Sequence, residues 1–169
     1  VYTVNDQFYG TLANASGYYR GKKDHVDIYV PEKSQELVVT YVQEQRRTAT
    51  VFERYKAASA NPYDVFFGGN HGLMQLDTAQ SGKRLLVIKD SYANCFLPFL
   101  IPYYKSITVV DPRYYYDDLD KLIEEQGIQE ILFLYNANTF FSDDSLNEIL
   151  TADIAADPAP RSILIITAV

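Results

Sequence analysis

Short apolar runs separated by segments of helical length constrain this chain more than any other feature. Residues 85–88 (LLVI), 107–110 (ITVV), 131–135 (ILFLY) and 163–167 (ILIIT) have the length and composition of strands buried on both faces. Between them lie residues 94–104, 117–126 and 143–150, which predict helices. Pro98 and Pro102 should kink or split the first helix, Gly127 should end the second, and Ser142 is a candidate cap for the third. Strand–helix alternation of this kind predicts a parallel sheet with helices on both faces.

The amino-terminal part reads differently. Residues 1–24, with Gly10, Gly17 and Gly21, predict loop and a short helix. Residues 26–30, 37–42 and 48–52 alternate apolar with polar residues, and residues 64–67 predict a short strand. The expectation is a single α/β domain over residues 1–169, with residues 26–52 as an antiparallel β-meander inserted beside the main sheet.

Composition removes several classes of function. A net charge of −7 argues against nucleic acid as a partner, because phosphate binding needs a basic face. The single cysteine, Cys95, excludes an intrachain disulfide framework. No run approaches the roughly 20 apolar residues of a membrane-spanning helix. Two isolated histidines, one cysteine and acidic helix starts give neither zinc-ligand spacing nor a calcium loop, so no metal is expected.

Open parallel sheets collect functional groups at the carboxyl ends of their strands. Asp90-Ser91, Asp111-Pro112-Arg113 and Asn136 stand at such ends, and Asn70-His71 follows Phe66-Phe67. Ser91, at the start of a helix, has two readings. It is a nucleophile aided by helix amides, or one of the Asp and Ser residues that cap a helix. Asn70 and Asn136 can each donate an amide to an oxyanion, or close a turn on their own backbone. Arg113 can clamp a carboxylate or acyl carbonyl, or pair with Asp111, Asp117 or Asp118. His71 is the alternative general base for Ser91, and His25 looks solvent-facing.

Phe66-Phe67-Gly68-Gly69-Asn70 and residues 85–100 (LLVIKDSYANCFLPFL), 109–115 (VVDPRYY) and 132–140 (LFLYNANTF) together resemble the carboxyl-terminal part of the DHHW family of bacterial surface proteins. Phe8-Tyr9-Gly10-Thr11-Leu12 fits the same pattern. That family is similar to the SGNH (GDSL-like) hydrolases and to the acetyltransferases that modify exopolysaccharides. The resemblance implies an SGNH-hydrolase-like fold, Ser91 as nucleophile, and Asn70 or Asn136 as oxyanion donor. It implies no cofactor, an extracytoplasmic, cell-surface or secreted location, and a cell-surface carbohydrate or acyl donor as partner. The Asp-His-His-Trp motif that names the family lies upstream of the serine, and this chain has no tryptophan. The resemblance therefore implies a fragment without the His and Asp of the triad. Two functions follow: a serine esterase or O-acyltransferase, and a non-catalytic surface-binding or structural module on the same scaffold.

Overall fold

The computed structural model describes residues 1–10, 13, 16–33, 35–151 and 162–168, and side chains up to residue 151. Two compact units are present, Val1–Gln35 with Phe52–Gly69, and Glu36–Val51 with Asn70–Val169. In the first, β1 (Tyr2–Phe8) pairs antiparallel with β2 (Asp24–Ile28), with irregular register. Short 3-10 turns at Arg54–Ala58 and Pro62–Val65 follow in the same unit.

The second unit holds a seven-stranded mixed sheet. Its strands are β3 (Leu37–Tyr41), β4 (Arg46–Thr48), β5 (Leu73–Thr78), β6 (Arg84–Lys89), β7 (Ser106–Val110), β8 (Glu130–Asn136) and β9 (Ser162–Ala168). Their spatial order is β4-β3-β5-β7-β6-β8-β9. β7, β6, β8 and β9 run parallel, and β5, β3 and β4 extend the sheet antiparallel beyond β7. The expected α/β class with a parallel sheet is the observed one; of the antiparallel meander expected over residues 26–52, β3 and β4 join this sheet through β5.

Details of the expected strands shift. The strand expected at residues 26–30 pairs with β1 in the small sheet, not with β3. Residues 48–52 form no strand beyond β4, and Phe52 makes one bridge to Phe66. Of residues 64–67, Asp64 and Val65 end a 3-10 turn that starts at Pro62, Phe66 makes the bridge to Phe52, and Phe67 is a turn residue. Residues 2–8 are a strand, and the short helix expected among residues 1–24 lies partly outside the described residues.

One face of the sheet carries Leu86, Ile88, Val110, Ile131 and Tyr135. Leu119, Leu122 and Ile123 of α2 (Leu119–Gln126) pack there, joined by Leu146 and Ile149. Asp118 caps α2 by accepting from the Lys121 amide, and Gly127 ends it with φ of 59°, where a side chain would be strained. The other face is equally apolar, with Leu85, Val87, Ile107 and Val109 buried. The segment leaving β6 divides as its prolines dictate: a 3-10 turn Ser91–Cys95, α1 (Leu97–Leu100), then a 3-10 turn Ile101–Tyr103. Pro98 and Pro102 each sit in the first turn of their piece, where a missing N–H costs nothing. After β8 come α3 (Ala137–Ser142) and α4 (Ser145–Thr151). Ser142 ends α3 and so is not the cap of α4; the Asp143 carboxylate accepts from the Ser145 amide instead.

Two tyrosines of this core give the fold an alkaline limit. Burial, reinforced by nearby carboxylates, pushes Tyr115 up to about 12 and Tyr135 further up. A group with a raised folded pKa stabilises fully below its unfolded value near 10 and loses that contribution above it. Lys89 is lowered and acts in the opposite sense, but only below its unfolded value of 10.5. The melting temperature should therefore fall steadily between about pH 10 and pH 12. A melting temperature that stayed flat across that range in a circular-dichroism titration would contradict this.

Candidate active site

Among the parallel strands the chain order is second-first-third-fourth: β7, β6, β8, β9. The connection from β6 leads to one side, and the chain then crosses to the other side to form β8. Open α/β sheets place their ligand sites at such reversals, at the carboxyl ends of the strands on either side, and here those strands are β6 and β8. Asp90-Ser91 leaves β6 at this point, and Asn136 ends β8 beside it.

Asp90 joins the two strand ends. Its buried carboxylate accepts from the Tyr92 amide at 2.9 Å and from the Asn136 amide at 3.2 Å. Asp90 is thus the cap of the 3-10 turn, and Ser91 is the turn's first residue, half-buried. Of the two residues that could cap, the aspartate does so, because its second oxygen is free to hold the neighbouring strand.

A second network lies under the same edge. Lys89 is the last residue of β6 and 0% exposed. Its ammonium lies 3.2 Å from Asp111 Oδ2 and 3.4 Å from Asn70 Oδ1. Asp111 follows β7, is also 0% exposed, and takes Arg113 through Nε at 2.9 Å and Nη2 at 2.7 Å. For Arg113 the ion pair with Asp111 is therefore present, and it raises the guanidinium's pKa beyond its already high value. Burial pulls the Lys89 pKa below its ordinary value, and the Asp111 carboxylate opposes that pull. One carboxylate thus serves two cations.

Asn70 reaches this network because Gly72 lets the chain run against Tyr114. A Cβ at Gly72 would collide with the Tyr114 carbonyl. The Gly72 carbonyl also accepts from the Asp111 amide at 3.1 Å. The Asn70 side-chain oxygen accepts from Asn94 Nδ2 at 3.1 Å as well as facing Lys89. Asn94 is 1% exposed and belongs to the Ser91 turn. Asn136 spends its own side-chain oxygen on the Asn138 amide at 2.9 Å, capping α3. In both candidate oxyanion donors the oxygen is anchored and the NH2 end remains for donation.

His71 sits elsewhere on this surface. Its Nδ1 is 2.6 Å from Glu44 Oε1, and its ring meets Tyr41 edge-on at 4.6 Å. Arg46 stacks on the same Tyr41 ring at 3.9 Å. Burial works against the Glu44 carboxylate, but hydrogen bonds from His71 and from its own backbone, with the His71 and Arg46 charges, hold its pKa below the ordinary value. His25 is exposed and close to Asp24 and Asp27. Among the described residues, no group of three His, Cys, Asp or Glu side chains could hold a metal ion, and no helix is long and apolar enough to cross a membrane.

Sequence reading passes over Lys89 and Asn94, and it places Asp90 at a strand end and as a candidate cap without its bond to the next strand. Lys89 does carry a signal: it continues the one-face series Leu85, Val87, and a lysine in that position must be paired.

The sequence matches no protein-family model and no curated protein. Solved structures do match. A DHHW family protein from Eubacterium siraeum is 24% identical, with a TM-score of 0.72 over 90% of this chain and 52% of that one. PatB1 from Bacillus cereus carrying a sulfonyl adduct is 23% identical, with a TM-score of 0.57 over 72% of this chain and 44% of that one. A second PatB1 structure is 21% identical, with a TM-score of 0.54 over 72% of this chain and 45% of that one. The chain spans about half the length of the solved structures it matches. The likeness is one of fold, and at that level the resemblance read from the residues holds.

Proposed function

We propose that this chain is part of an extracytoplasmic SGNH-like serine esterase or O-acyltransferase acting on acylated cell-surface carbohydrate, with Ser91 as its nucleophile. The observation that carries the reading is the position of Ser91 at the strand-order reversal, next to an aspartate that ties β6 to β8. In this mechanism the Ser91 hydroxyl attacks the acyl carbonyl carbon and its proton passes to a base. The developing oxyanion takes hydrogen bonds from the NH2 of Asn70 or Asn136 and from turn amides. The C–O bond to the sugar breaks as the alcohol oxygen takes up the proton. Water or a second hydroxyl then receives the acyl group. Arg113, one-quarter exposed beyond its Asp111 pair, borders the site as the residue for a substrate oxygen.

The base and its carboxylate are assigned to sequence upstream of Val1, with His71 as the alternative. A histidine oriented by a carboxylate is what a general base requires, and Glu44 supplies that carboxylate. A non-catalytic surface-binding or structural module is the second reading. It is favoured by the structural use of the polar groups at this edge: Asp90 caps the Ser91 turn, Asp111 holds Lys89 and Arg113, and Asn136 caps α3.

The test is hydrolysis of p-nitrophenyl acetate with fluorophosphonate labelling. The 169-residue chain alone should turn over negligibly, and a longer chain with the native upstream sequence should recover Ser91-dependent turnover. Robust Ser91-dependent turnover by the 169 residues would move the base to His71. Neither turnover nor labelling in the longer chain would leave the binding module.

A further inference from the structure

We infer that Asn94 and Lys89 are positioning residues that decide which end of the Asn70 amide faces outward. The inference rests on the proposed role of Asn70 beside Ser91, but its geometric half stands without it. Asn70 is exposed, yet its side-chain oxygen meets two donors that are themselves buried: Asn94 Nδ2 at 3.1 Å and the Lys89 ammonium at 3.4 Å. A lysine ammonium has only protons to offer. An NH2 group in that place would face it donor to donor, so the Asn70 oxygen turns inward and the NH2 outward.

Asn94 adds a positional constraint. It belongs to the same 3-10 turn as Ser91, so a single hydrogen bond ties the turn of the nucleophile to the donor proposed for the oxyanion. Lys89 is held in turn by Asp111, which fixes the ammonium beneath Asn70. Buried groups of this kind keep their geometry through a reaction, which is what makes an oxyanion donor effective.

Two experiments test the inference. In the 169-residue chain, Asn70→Asp keeps an acceptor for both donors and removes only the outward NH2. Its melting temperature should equal or exceed that of the wild type, whereas Asn70→Leu should melt lower. If Asn70→Asp melts as low as Asn70→Leu, the amide faces the other way and the inference fails.

In the full-length protein, Asn70→Ala should lower kcat about 100-fold. Asn94→Ala should lower kcat with KM unchanged, and the double variant should be no slower than Asn70→Ala alone. Losses that multiply would show that Asn94 does not act through Asn70. Absence of any Ser91-dependent activity in the wild type would overturn the proposed function instead, while the melting comparison would still decide the orientation of Asn70.

Discussion

Replacement of Asp111 by alanine is expected to cost about 3–5 kcal/mol of stability, the scale for removing one partner of a buried ion pair. The size of the effect follows from what the carboxylate holds. Lys89 and Asp111 are both 0% exposed, and Arg113 makes two side-chain bonds to the same carboxylate. Without Asp111 the Lys89 ammonium keeps its 3.4 Å contact with Asn70 and the attraction of the Asp90 carboxylate, but no ion pair. Lys89→Met should cost much less, because Asp111 retains Arg113 and an apolar side chain suits the position.

The same logic gives a sign to the double variant. Adding Lys89→Met to Asp111→Ala removes the stranded charge and should recover part of the lost stability. Urea denaturation of the four proteins measures this directly. Equal destabilisation by the two single variants, or a double variant that is simply the sum, would show that the buried pair is not the element that matters.

If the proposed esterase or acyltransferase function holds, Ser91→Ala in the full-length protein should lower kcat by about 1,000-fold or more with KM little altered, since the covalent route would be lost while substrate contacts stay. The melting temperature serves as the control for folding. Fluorophosphonate labelling should vanish in the same variant. A variant that kept more than a tenth of wild-type turnover would remove Ser91 from the chemistry. The residual role of the turn would then be the one Asp90 already performs, a strand-to-turn cap.

Much of the parallel sheet is legible along the chain. β6, β7, β8 and β9 coincide closely with their apolar runs, and the first three are each bounded by polar or glycine-containing segments. β5 (LMQLDT) is missed, because Gln75 and Asp77 dilute its apolar content and its status depends on β3 and β7 flanking it. The 26–30 strand is recognised as a strand but not by its partner, since alternation encodes a buried face and not which strand lies alongside.

The polar groups of this edge were legible in part for the same reason. Ser91, Asn136 and Arg113 could be picked as polar groups at or just past strand ends, and Asn70 as a polar group in a glycine-rich loop, where side-chain chemistry itself is the signal. The burial of Lys89 has only its alternation with Leu85 and Val87 as a signal, since a lysine before Asp-Ser otherwise resembles an ordinary end to a strand. It becomes the last residue of β6 because β8 pairs with it at Leu134, and it is buried with a partner because β7 delivers Asp111 to its ammonium.

What the sequence alone determined are the local quantities: strand-length burial, the break of the segment after β6 at Pro98 and Pro102, and the Gly127 stop. Each depends on residues within a turn or two of one another, where backbone geometry and hydrogen bonding leave few choices. The tertiary structure alone decided that β6 lies between β7 and β8, that Asp90 bridges to Asn136, and that Asn94 and Lys89 converge on Asn70. Those contacts join residues 19 to 46 positions apart. Their favourable energy appears only when packing excludes water from both partners at once, and no local pattern records that event.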